Sequence, residues 1–279
     1  MHKTIQDIVQ MKKEKKKISV ITSYDYTLAS LCDKAGIDVL LVGDSAGMVM
    51  LGYENTIPVT MDQMCMFTEA VSRARKDSLL VSDLPFMSYQ VSIEDAINNS
   101  GRLIKAGADA VKLEGGSIMA ETISAIVDVG IPVMGHIGLQ PQTTMLSEGY
   151  KVQGKTKDSA MKLIEDAKEL EDAGVFSIAL EMVSHEVAQI ISETVSIPVI
   201  GIGSGVNCDG QVLVVQDLLG MYDKIKPKFA KRYMNLSEDI VKSLQDYKKD
   251  VESGEFPSKE NSFSMNEEEL KKLREQIGS

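Results

Sequence analysis

Positive charge is in short supply in this chain: 30 Lys and Arg face 41 Asp and Glu across 279 residues, for a formal net charge of −11. That balance opposes long-range attraction to phosphate backbones and anionic lipid, which argues against nucleic acid as a partner. Cysteine is scarce as well. Cys32, Cys65 and Cys208 are far apart, odd in number and outside any CxxC arrangement. The pattern disfavours a disulfide framework or a thiolate zinc site and predicts reduced core thiols. No segment reaches the roughly 18 apolar residues of a membrane span, and the opening MetHisLysThrIleGlnAspIleVal lacks a signal-peptide core. The expectation is a cytoplasmic protein with no membrane partner.

Familiar site motifs are missing too. There is no HxH strand motif and no HExxH, so a zinc hydrolase barrel is poorly supported. GlyIleGlySerGly at 201–205 has neither the Walker spacing nor the dinucleotide fingerprint, and it reads equally as a tight turn or as an anion-binding loop.

What the chain does contain is a series of short apolar runs that stop on polar residues. ValLeuLeuValGly precedes Asp44, LeuLeuValSer precedes Asp83, AlaVal precedes Lys112 and Glu114, ValMetGly precedes His136, and IleAlaLeu precedes Glu181. A buried parallel strand reads as such a run, and an acid or base at its carboxyl end serves no packing purpose. Strands are expected at 18–22, 38–43, 78–82, 109–114, 131–136, 176–181, 197–202 and 211–215. Helical patterns fill 26–35, 61–75, 92–106, 117–129, 158–173, 184–195 and a region after Asp217. Eight strand-helix units suit a single (β/α)8 TIM barrel of the α/β class, which needs about 250 residues.

An amphipathic helix at 4–12, with Ile5, Ile8, Val9 and Met11 on one side, is expected to cover the barrel bottom, and the lysines after it read as a solvated helix end. Two long connections, 44–60 and 137–157, are expected to cover an active site. The domain reading is 1–263 for the barrel and 264–279 for a C-terminal helical tail. Ser264 to Glu267 suggests a capping box, with Leu270, Leu273 and Ile277 on one side of the helix it opens.

The strand-end residues suggest roles. Asp44 and Asp83 are hard oxygen donors suited to Mg²⁺, although either alone fits a helix cap equally. Lys112 and Glu114, two apart on a strand, point to one face, where they would form an ion pair or meet an anionic substrate and a metal. His136 suits a polar contact to substrate, Glu181 a general base, and Ser45 offers a hydroxyl and a backbone N–H to a carboxylate.

Several longer motifs carry a resemblance. ThrSerTyrAspTyr at 22–26, ValGlyAspSerAlaGlyMet at 42–48, AspLeuProPheMetSerTyr at 83–89, ValLysLeuGluGlyGly at 111–116, GlyHisIleGlyLeuGlnProGln at 135–142, GlyTyrLysValGlnGly at 149–154 and IleProValIleGlyIleGlySerGly at 197–205 resemble the ketopantoate hydroxymethyltransferases. The likeness runs from about residue 4 to 263. It implies a Mg²⁺-dependent barrel that moves a hydroxymethyl group from 5,10-methylenetetrahydrofolate to 3-methyl-2-oxobutanoate through a stabilised enolate. It also implies metal ligation by Asp44, Asp83 and Glu114, substrate contacts from Asp44, Ser45, Asp83, Lys112 and His136, Glu181 as proton acceptor, and a decameric homo-oligomer. Ala46, Phe67 and Glu148 depart from the family pattern. The alternatives are another Mg²⁺-dependent 2-oxo acid barrel of the isocitrate lyase or phosphonopyruvate type, whose reactive-cysteine loop is absent here, and a non-catalytic ligand-binding barrel.

Overall fold

A computed structural model describes residues 2–143, 151–224 and 226–278. Strands β1 (Ile18–Thr22), β2 (Val39–Val42), β3 (Leu79–Asp83), β4 (Ala110–Glu114), β5 (Val133–Gly138), β6 (Ser177–Glu181), β7 (Val199–Ile202) and β8 (Gly210–Leu213) pair in order, all parallel, and β8 returns to β1 to close a barrel. Eight strands leave an interior just wide enough for side chains to fill. Alternation along each strand divides the apolar residues into two cores. Val20, Val39, Leu41, Leu79, Val81 and Met134 fill the barrel, while Leu40, Leu80, Val111, Leu113, Ile178 and Leu180 pack outward with the surrounding helices.

The preceding helix α1 (Ile5–Lys13) places Ile8, fully buried, into the inner core, with Ile5, Val9 and Met11 around it. The helix therefore plugs the bottom of the barrel, as its apolar stripe predicts. Lys13, Lys15 and Lys16 are exposed, as expected of a solvated helix end, whereas Lys12 and Lys17 depart from it. Lys12 Nζ lies 2.8 Å from both Ser192 O and Ile197 O and 2.9 Å from Asp209, and Lys17 donates to Cys208 O. Both are ties to the β7–β8 side of the barrel, because the plug brings their long stems against that rim.

The outer layer is formed by α2 (Tyr26–Lys34), a short α3 (Ala46–Val49), α4 (Met61–Ala74), α5 (Ile93–Lys105), α6 (Ala120–Asp128), α7 (Lys157–Asp172), α8 (His185–Thr194) and α9 (Val215–Leu219). Local chemistry sets their starts: Asp25 caps α2, Thr60 and Gln63 form a capping box on α4, Ser92 caps α5, and Thr156 with Ser159 opens α7. The expected strand at 131–136 starts two residues late, after Pro132, and continues to Gly138. His136 is thus two residues inside β5 rather than at its end. No helix separates β7 from β8, in line with the sequence reading.

Beyond the barrel, α10 (Leu236–Ser253) and α11 (Glu267–Ile277) bury no residue. The tail helix begins two residues later than expected: Asn266, not Ser264, is its cap and accepts from Glu268 N. Leu273 and Ile277 of the stripe remain exposed and Leu270 is partly buried, so among the described residues none of the stripe is fully covered. Cys32 and Cys208 are buried free thiols, as expected, whereas Cys65 is partly exposed. Among the described residues no helix is long and apolar enough to cross a membrane.

Candidate active site

The carboxyl ends of the strands surround a cavity of about 420 Å³. Asp44, Ser45, Asp83, Lys112, Glu114, His136 and Glu181 all line it. Strand parity explains part of this convergence: Lys112 and Glu114 point inward with Ala110, while Val111 and Leu113 point out. Register supplies the rest. Asp83 stands beside Lys112, Glu114 beside His136, and Gly138 beside Glu181.

Lys112 Nζ donates to Asp83 Oδ1 at 2.8 Å, both side chains being buried. The ion pair weighed between Lys112 and Glu114 is therefore not the one made. Asp83 Oδ2 also accepts Asp44 N at 3.1 Å, which joins the β2 and β3 ends. Burial pushes the Asp83 carboxyl up, and the opposing Lys112 charge does not fully cancel it. Asp44 is raised in the same direction by burial and by the Glu114 charge. Burial opposes the Lys112 ammonium, yet Asp83, Asp44 and Glu114 outweigh it and hold its pKa above the ordinary lysine value.

His136 stands between two carboxylates, with Nδ1 3.5 Å from Glu114 Oε1 and Nε2 3.4 Å from Glu181 Oε2. Neither contact has hydrogen-bond geometry, and both nitrogens are buried. Burial and Lys112 disfavour the imidazolium, but Glu114 and Glu181 prevail and raise its pKa to about 9. Glu181 is the least buried of the strand-end acids that line the cavity, its side chain 16% exposed. Gly138 makes room beside it: at φ +97°, a Cβ there would lie 2.2 Å from Glu181 O. Ser45 Oγ is 2.8 Å from the Tyr24 hydroxyl.

Both long connections reach the cavity. Met48, Val49 and Thr56 line it from the first, and Pro141 from the second. The second connection then returns beside β6, where Gln153 N donates to Met182 O at 2.7 Å. Glu148 lies outside the described residues. Ala46 and Phe67 are buried core side chains. The glycine-rich segment at 201–205 is a structural stitch: buried Ser204 donates to Leu180 O at 2.7 Å and accepts Val183 N at 3.1 Å.

Sequence reasoning missed Tyr24, Tyr89, Gln142 and Asp217. Tyr89 and Gln142 occur inside the motifs quoted above, but a glutamine in a loop carries no mark of burial. Among the described residues no three His, Cys, Asp or Glu side chains are grouped to hold a metal by themselves. A cation here would take the Asp44 and Asp83 oxygens and complete its shell with water and substrate, the usual Mg²⁺ arrangement. Glu114 is already engaged by His136 and Gln142 N, and it fits the edge of such a site better than a direct ligand position.

A closed barrel with acids, a lysine and a histidine gathered over its carboxyl-terminal mouth is an enzyme of the (β/α)8 class. Solved structures share the architecture. A phosphonopyruvate hydrolase crystallised with oxalate and Mg²⁺ aligns with TM-score 0.62 at 10% identity, covering 100% of this chain and 95% of that one. A 2,3-dimethylmalate lyase of the PEP mutase/isocitrate lyase superfamily aligns at 0.58 and 14% identity, covering 99% and 100%. At such identities the likeness is one of fold alone. Sequence relatives are more specific. A 3-methyl-2-oxobutanoate hydroxymethyltransferase of Nitrosopumilus maritimus is 90% identical over the full length of both chains. The enzyme of that name from Clostridioides difficile is 52% identical over 98% of this chain and 100% of its own. Residues 2–259 match the ketopantoate hydroxymethyltransferase family model, and the chain belongs to that family.

Proposed function

We propose that the chain transfers a hydroxymethyl group from 5,10-methylenetetrahydrofolate to 3-methyl-2-oxobutanoate, giving ketopantoate, with Mg²⁺ at Asp44 and Asp83. The observation that carries this reading is the convergence of all seven residues singled out in the sequence on one cavity in a chain 90% identical to an enzyme of that name. When bound, Mg²⁺ supplies Lewis-acid polarisation of a carbonyl oxygen. Its fit rests on two buried carboxylates with hard oxygen donors in one cavity, with the buried Thr56 hydroxyl beside Asp44.

Lys112 offers its ammonium, and Ser45 its hydroxyl, to the carboxylate of the oxo acid. Asp83 holds the first and Tyr24 the second, so both are oriented before substrate arrives. Glu181 takes the C3 proton, and His136 steadies the charge of that carboxylate from 3.4 Å. The enolate carbon attacks the methylene carbon as its bond to one folate nitrogen breaks, and water then displaces the second nitrogen, supplying the hydroxyl of the product and releasing tetrahydrofolate. A buried setting keeps water from competing for the C3 carbanion. The exposed Ile240, Leu244 and Tyr247 of α10 are consistent with a homo-oligomer.

The test is folate-dependent formation of ketopantoate from 3-methyl-2-oxobutanoate by purified protein, with and without chelator. Turnover that chelation abolishes and Mg²⁺ restores is the expected result. A metal-stripped Asp83→Asn variant with full activity would sink the cation assignment.

A further inference from the structure

We propose that Gln142, locked in place by Tyr89, is the positioning residue that presents Asp44 to a divalent cation. Gln142 is 1% exposed and every polar atom of its carboxamide is committed. Its Nε2 donates to Asp44 Oδ2 at 2.9 Å and to Leu84 O at 3.0 Å, while its Oε1 accepts the Tyr89 hydroxyl at 2.8 Å. The backbone N–H of Gln142 donates to Glu114 Oε2 at 3.0 Å.

The direction of this chain is forced. Tyr89 Oη accepts the Glu114 backbone N–H at 3.2 Å, so its own proton goes to Gln142 Oε1. Burial and the Glu114 charge raise the phenol well above its ordinary pKa and keep it a donor. With its oxygen held by that donor, the amide must turn its NH₂ toward the Asp44 carboxylate and the Leu84 carbonyl. A flipped amide would set oxygen against both acceptors. Asp44 Oδ2 is thereby held by the amide, which sets the orientation of the carboxylate in the cavity.

One glutamine thus ties the ends of β2, β3 and β4 to the loop after β5. Groups that orient a metal-binding carboxylate typically contribute about 10- to 100-fold in metal affinity. This inference rests on the reading of Asp44 as a cation ligand, and the control below separates the two.

The experiment titrates the metal-free chain with Mn²⁺, following free ion by electron paramagnetic resonance, in the wild type, Asp44→Asn, Gln142→Met, Tyr89→Phe and the Gln142→Met/Tyr89→Phe double variant. Melting temperature is recorded for each. Gln142→Met and Tyr89→Phe should each raise the Mn²⁺ Kd about 10-fold, and the double variant should fall no further than Gln142→Met, because both act through one chain. Restoring Gln142 in the Tyr89→Phe background therefore rescues little.

The inference is overturned if Asp44→Asn loses affinity while both single variants, still folded, stay within about twofold of wild type. Additive losses in the double variant would equally overturn it, since Tyr89 would then act independently of Gln142. An Asp44→Asn chain that binds Mn²⁺ like the wild type removes the cation reading itself, and the positioning role with it. Should Gln142→Met fail to fold, Tyr89→Phe deletes a single hydroxyl, keeps the ring and decides alone.

Discussion

Lys112 on β4 reaches sideways to Asp83 on β3, not along its own strand to Glu114, and the 2.8 Å contact is buried on both sides. Neighbouring strands are about 4.8 Å apart, closer than inward-facing residues two positions along one strand. Register Asp83↔Lys112 therefore decides the pairing.

Breaking that pair should expose its electrostatic role. Lys112→Met leaves Asp83 and Asp44 as buried carboxylates without their cation, at a cost of about 3 kcal/mol near pH 7. The carboxyls are already raised, and without Lys112 they rise further, so protonation at lower pH relieves the penalty. Denaturant unfolding of the metal-free chain at pH 7 and pH 5 should therefore show a smaller loss at the lower pH. Equal losses at both would mean that Asp83 is neutral throughout.

His136 predicts a separate pH dependence. Its folded pKa, about 9, is above the ordinary histidine value. The stability it contributes is complete below about pH 6.5 and is lost as pH rises through 9. In the metal-free chain one of the three histidine C2 proton resonances should titrate near pH 9, and His136→Gln should flatten the fall in stability across that window. A His136 midpoint below 7 would contradict the two-carboxylate environment.

Glu181 is testable without folate. In D₂O with Mg²⁺ the enzyme should exchange the C3 hydrogen of 3-methyl-2-oxobutanoate, and Glu181→Gln should slow exchange by roughly 10² to 10⁴. If a folded, Mg²⁺-binding variant exchanges at the wild-type rate while overall transfer fails, Glu181 acts after enolisation and His136 becomes the first suspect.

The tail helix α11 contributes nothing to the cavity and buries no residue. Removal of 264–279 should leave activity per folded subunit nearly intact. A truncated enzyme with unchanged assembly and a tenfold lower turnover would place the tail in the site.

Much of this molecule is determined by local order in the sequence. Runs such as ValLeuLeuVal at 39–42 and LeuLeuVal at 79–81, broken by capped helices, point to a parallel α/β sheet covered by helices, and eight such units suit its closure into a barrel, which the pairing of β8 with β1 makes. The same runs point to Asp44, Asp83, Lys112, Glu114, His136 and Glu181, because a charge at the end of an apolar strand has no packing reason to be there. Tertiary structure decided the rest: that Lys112 serves Asp83, that His136 sits between Glu114 and Glu181, that Lys12 ties the plug to β7–β8, and that Gln142 reaches Asp44 from a residue separation of 98. Those contacts depend on inter-strand register and on where a loop lands after the barrel closes, and neither is encoded in the periodicity of any single segment.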